Sequence, residues 1–94
     1  MNSSMFKSVT NYTISGNTSG KTISGGPGIL SISSIHCYNN NYYHRIYIDG
    51  SDSPLVIDES DSHGLILFKS SVKISNKDSS TSMSSITVTI GLLN

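Results

Sequence analysis

The chain has 94 residues, enough for one domain, and charged residues make up 13% of it, about half of the ~25% usual for soluble proteins. Six basic residues balance six acidic ones, so the formal net charge is zero and no basic field exists to hold a nucleic acid or an anionic membrane. No apolar run approaches the ~20 residues of a membrane helix, and Met1 to Thr10 holds no apolar stretch of the signal-peptide kind, so a soluble protein of intracellular origin is expected.

The dominant period is two. Alanine is absent, and no window carries an i, i+3, i+4, i+7 apolar stripe, which argues against helix. Phe6 to Ser15 is the first predicted strand, and a short piece near Lys21 to Ile23 follows it. Between them, Gly16-Asn17-Thr18-Ser19-Gly20-Lys21-Thr22 comes close to a phosphate-binding loop. It is one residue short, because only Asn17, Thr18 and Ser19 separate the two glycines where four residues are needed. The lysine should also open a helix whose N-terminus faces the anion. Thr22-Ile23-Ser24-Gly25-Gly26-Pro27-Gly28 cannot propagate one. Nucleotide binding is therefore rejected, and Gly25 to Gly28 reads as a tight corner feeding the next strand.

That strand, Ile29 to Tyr38, changes parity along its length. Leu30 and Ile32 occupy even positions, whereas Ile35 and Cys37 occupy odd ones. A strand that keeps one buried face must take up an extra residue, so a β-bulge or bend is expected near Ser33-Ser34. Asn39-Asn40-Asn41 predicts a turn, since Asn tolerates positive φ. Tyr43 to Asp49 is the next strand, closed by the Asp49-Gly50 turn signal. Leu55 to Asp58, Leu65 to Lys69, Val72 to Ser75 and Ser85 to Leu92 complete the set, with turns at His63-Gly64 and Ser70-Ser71. In Leu65 to Lys69 both parities are apolar, which predicts burial on both faces. Asn76 to Ser84 is the most polar stretch and reads as a mobile loop. The whole predicts one all-β domain over residues 1–94: an antiparallel β-sandwich or jelly-roll-like fold of seven to eight short strands, with residues 1–15 as an N-terminal strand or arm.

Chemistry-bearing constellations are few. Cys37 is the one cysteine and is expected to be a buried structural thiol. His36, His44 and His63 have no i, i+2 or i, i+4 metal spacing and are expected at exposed or edge positions. Asp49, Asp52, Asp58, Glu59 and Asp61 lack the calcium-loop pattern and read as solvated turns. No G-x-S-x-G elbow is present. No cofactor, metal site or enzymatic activity is expected. The richest segment is Tyr42-Tyr43-His44-Arg45-Ile46-Tyr47, where Tyr43, Arg45 and Tyr47 share parity and point away from Ile46 and Ile48. Tyr42, Tyr43, Arg45 and Tyr47 form the candidate interface or ligand face: Tyr and Arg suit protein interfaces and aromatic rings suit sugar stacking, while cross-strand packing would also use them.

Several segments carry a resemblance. SGKTISGGPGILSISSI covers Ser19 to Ile35, RIYIDGSDSPL covers Arg45 to Leu55, GLILFKSSVKIS covers Gly64 to Ser75, and SITVTIGLL covers Ser85 to Leu93. In this order they resemble small β-sandwich virion structural proteins of tailed bacteriophages. The resemblance spans roughly residues 19 to 93 and rests on generic strand text. It implies a non-enzymatic structural protein of the virion, assembled in the host cytoplasm, that decorates or cements the capsid or sits in the tail. Its partners would be copies of itself and other virion proteins such as the major capsid protein; closed symmetry is expected of such an oligomer, taken here as a trimer, and the neutral charge leaves no nucleic acid and no membrane as partner. The alternative it leaves is a tail or fibre adhesin module that binds host surface glycans. No functional residues carry over from the resemblance. Phe6 to Ile14 lies outside it and reads as an arm for a neighbouring subunit.

Overall fold

A computed structural model describes residues 5–15, 18–37, 43–58, 64–76 and 84–94. Eight strands run along the chain: β1 Phe6–Ser15, β2 Thr18–Ser24, β3 Gly28–His36, β4 His44–Ile48, β5 Leu55–Ile57, β6 Leu65–Phe68, β7 Ser71–Asn76 and β8 Ser85–Leu93. No helix occurs among the described residues. The two-residue period therefore sets the fold, as the sequence predicts, with boundaries moved by up to three residues, the most at the start of β2.

Strands pair antiparallel as β1 with β8, β2 with β7, β3 with β6 and β4 with β5. These pairings are those of one long hairpin rolled up on itself. Two further pairings, β8 with β3 and β7 with β4, close it into two four-stranded sheets. Sheet A has the order β1-β8-β3-β6 and sheet B the order β2-β7-β4-β5. The result is an antiparallel β-sandwich with jelly-roll winding.

The core lies between the sheets. Sheet A contributes Ile14, Leu30, Phe68, Ile86, Val88 and Ile90, and sheet B contributes Ile23, Ile46, Ile57, Val72 and Ile74. Most are β-branched, which suits a pleated surface packed on one side. Burial of each such side chain is worth roughly 1.5–3 kcal/mol. The expected bulge is present: the β3–β8 register shifts between Ile32 and Ser34. Ile32 then stands opposite Val88 and Ile35 opposite Ile86, so the apolar residues on either side of the shift stay on the inner face.

Three expectations need correction. Leu65 and Leu67 are 66% and 68% exposed, so β6 is not buried on both faces. β6 is the last strand of sheet A, and nothing described covers the outer face of that sheet. Only Phe68 and, in part, Ile66 turn inward. His44 is wholly buried rather than exposed or at an edge, because it shares parity with Ile46 on the core side of β4. Its Nε2 lies 3.3 Å from the His36 carbonyl oxygen. His36 is exposed, and Cys37 is only half-buried. The Asn39-Asn40-Asn41 turn, His63 and residues 77–83 of the polar loop lie outside the described residues.

Candidate functional site

The outer face of sheet B carries the aromatic segment. Tyr43, Arg45 and Tyr47 are each half-buried and alternate with the inward His44 and Ile46, as their parity predicts. Tyr42 lies outside the described residues. The register sets Arg45 between Ser75 of β7 and Val56 of β5, and Tyr47 beside Lys73 of β7. Tyr43 and Tyr47 are four residues apart on an extended strand, about 13 Å, so the candidates share a face without converging on a point. What converges is a different set. Tyr47 joins Thr22, Gly50, Ser51, Asp52, Ser71 and Lys73 around a shallow pocket of about 250 Å³. Lys73 Nζ stands 4.5 Å from the centroid of the Tyr47 ring, within cation–π range.

One wall of that pocket is held by Asp49. Asp49 and Gly50 both have positive φ, 54° and 76°, and the Ser51 N–H donates to the Ile48 carbonyl at 3.0 Å. This is the pattern of a type I′ turn, for which Asp-Gly is well suited. The Asp49 N–H donates to the Ser71 carbonyl at 2.8 Å. Its carboxylate Oδ1 accepts from the N–H groups of Lys69 at 2.9 Å, Ser70 at 2.7 Å and Ser71 at 3.2 Å, and from the Ser70 hydroxyl at 3.1 Å. These donors, the Ser70 N–H foremost and then that of Lys69, favour the charged form and lower the Asp49 pKa from 3.8 to about 2. The Ser70 carbonyl in turn accepts the Gly26 N–H at 2.9 Å. Three connections of the sandwich are thereby tied together at one end: the β4–β5 loop, the β6–β7 turn and the Gly25–Gly28 corner. Asp49 is an exposed turn acid, as expected, and it is in addition the acceptor that joins two loops.

The outer face of sheet A has a different character. Its cross-strand register can be read in rows. Val9, Gly91, Ile29 and Leu67 lie side by side in the order of the strands. The next row is Asn11, Thr89, Ser31 and Leu65, and beyond it come Thr13, Thr87 and Ser34. None of these residues is charged. Gly91 has no side chain, and the Phe6 ring occupies the space: a Cβ at Gly91 would fall 2.6 Å from Phe6 Cε1. Phe6, Val9, Ile29, Ser31, Leu65, Thr89 and Gly91 line a shallow groove of about 200 Å³. Val9 is 61% exposed, comparable to the two leucines. The polar half of the face bonds within itself. The Thr89 hydroxyl donates to Asn11 Oδ1 at 2.7 Å, and the Thr13 and Thr87 hydroxyls lie 3.1 Å apart.

Other sites read from the sequence resolve simply. Lys21 sits inside β2, opposite Ile74, and its Nζ lies 5.3 Å from the centroid of the Tyr12 ring on β1. It opens no helix, so the phosphate-loop geometry is not formed. Among the described residues no three His, Cys, Asp or Glu side chains group as metal ligands. Among the described residues no helix is long and apolar enough to cross a membrane. No family model, curated protein or solved structure matches the chain. Sequence reasoning located the aromatic face but missed the uncharged one, although the alternation of Leu65 and Leu67 with the inward Ile66 and Phe68 was available as a signal.

Proposed function

We propose that this chain is a non-enzymatic structural protein that works by burying sheet surface against other proteins, in the setting the sequence resemblance implies: capsid decoration or cement in a phage virion, against the shell and copies of itself. The observation that carries this reading is the outer face of sheet A, where Val9, Leu65 and Leu67 are each more than 60% exposed in one uncharged patch with Ile29 and Phe6. Contiguous apolar patches on a soluble domain are commonly docking sites. The test is co-sedimentation of the purified protein with expanded capsid shells. Binding that Leu67→Lys abolishes supports the reading, and equal binding by this variant, or none by the wild type, counts against it.

A second reading, an adhesin module for host glycans, is favoured by one specific feature, the Tyr47 pocket with a loop wall fixed by Asp49. An aromatic ring beside hydroxyls, a cation and a carboxylate is chemistry that suits a saccharide. A glycan array probed with the isolated protein checks it. A signal that dims for Tyr47→Ala favours the adhesin, whereas a blank array together with shell binding favours the structural role.

A further inference from the structure

We propose that the outer face of sheet A docks on the same face of a second copy, across a two-fold axis lying in the interface plane. The proposal rests on the structural reading above and names the partner of that face. Three observations lead to it.

The first is charge. In a two-fold interface a patch faces a copy of itself, residue i meeting residue j and j meeting i, so a patch of one sign repels itself. The three rows on this face carry no charge, so self-pairing meets no such penalty. The outer face of sheet B, with Arg45 and Lys73, would bring like charges together.

The second is the chemistry of the polar rows. Hydroxyls donate and accept, so Thr13, Thr87, Thr89, Ser31 and Ser34 can meet their own copies in either sense. A face of amines or of carboxylates has no such freedom. The apolar row Val9, Gly91, Ile29 and Leu67 with Leu65 would supply the dry centre and the hydroxyl rows the wet rim, the usual anatomy of a protein interface.

The third is size. The strands of sheet A hold 10, 9, 9 and 4 residues, and at about 3.3 Å per residue and about 4.8 Å per strand they give a face of roughly 500 Å² in plane. Side chains standing out of the plane raise its accessible area towards the ~800 Å² per partner of a standard interface. The assembly expected from this face is a dimer, in place of the trimer first expected from closed symmetry.

Sedimentation velocity on the full chain over a concentration series tests this. The wild type should show a monomer–dimer equilibrium. Leu67→Lys and Leu67→Asp should each raise the dimer dissociation constant roughly 30-fold or more, as loss of an interface anchor does. Their mixture should recover dimer, because opposite charges then meet across the same patch. Circular dichroism should show both variants folded, since the side chain replaced is mostly exposed. Val56→Asp, on sheet B, should leave the equilibrium unchanged. A wild type that stays monomeric throughout, or an oligomer that both charged variants leave intact, overturns the proposal. A monomer that still binds capsid shells through Leu67 would sink the second-copy claim and leave the structural reading standing; a monomer that binds no shell would sink both.

Discussion

The two outer faces of this sandwich are built on one core from the same alternation, yet they differ in almost every surface property. Sheet B presents Arg45, Tyr47 and Lys73 in front of a loop fixed by Asp49. Sheet A presents leucines, valine and a band of hydroxyls with no charge in its rows. Inward residues are constrained by packing and outward ones are not. The difference between the faces is therefore information about what each one meets, and it separates a surface suited to a polar ligand from one suited to a sheet of its own kind.

The largest effects should come from the layer the faces share. Leu30 of sheet A and Ile46 of sheet B are both fully buried in the two sheets' common core. Truncation of either to Ala should cost about 2–5 kcal/mol in chemical denaturation, since it leaves a cavity that stiff strands fill poorly. If the faces are independent readouts of one core, the two variants should weaken the properties of both faces only through unfolding. A variant that stays folded and loses one face alone would break that picture.

Next in size is Gly91→Val, which acts on sheet A alone. The added Cβ would meet the Phe6 ring at 2.6 Å, and the ring must swing away. Overpacking of this kind costs about 1–3 kcal/mol, and the low end is expected here because an edge-strand side chain yields more readily than backbone. The sharper outcome is at the surface: dimer formation should fall while the Tyr47 pocket is unchanged, as read by amide chemical shifts at Gly50 to Asp52.

How much of this was legible beforehand follows from what alternation encodes. It records which side chains share a face, so the strands, the bulge at Ile32–Ser34 and the parity of Tyr43, Arg45 and Tyr47 could all be read. His44 was legible too, because it shares the parity of Ile46, and the rule applied to its neighbours would have placed it inside. Alternation does not record what covers an outer face. Leu65 and Leu67 look like core residues until the topology makes β6 the end of sheet A. Nor does it record partners distant in sequence: the donors to Asp49 come from a turn about 20 positions on, brought close by the rolled hairpin.

Asp49 gives a pH-dependent test of the sheet B side. Its pKa is about 2 in the folded chain against an ordinary 3.8. A depressed value means that the carboxylate stabilises the fold fully above about 3.8, and that this contribution is lost as the pH falls through the folded value of about 2. Denaturation midpoints should therefore fall between pH 4 and pH 2 in the wild type. Asp49→Asn should be less stable at neutral pH and flatter across that window. Dimer formation through sheet A should be indifferent to the change, and a dimer lost along with the Asp49 clamp would show that the two faces communicate.

The smallest expected effect probes whether the Lys73–Tyr47 contact holds the pocket's shape or merely decorates it. At 4.5 Å from the ring centroid and open to solvent, a cation–π pair of this kind is worth about 0.5–1 kcal/mol. Lys73 has a second constraint. Its Cγ and Cδ would lie 3.3 and 3.1 Å from a Cβ at Gly20, so its stem is seated against β2 while its ammonium meets β4. A double-mutant cycle of Lys73→Ala and Tyr47→Ala should return a coupling of that order, since residues in direct contact do not add. A coupling near zero would mean that the ammonium belongs to solvent and the Tyr47 ring stands open, which strengthens the case for a stacked sugar. A full coupling means that a ligand must displace the lysine or accept it as a wall, which narrows the pocket's partners to those able to bond an ammonium. Neither result should move the dimer equilibrium, because Lys73 and Tyr47 lie on the far side of the core from Leu67.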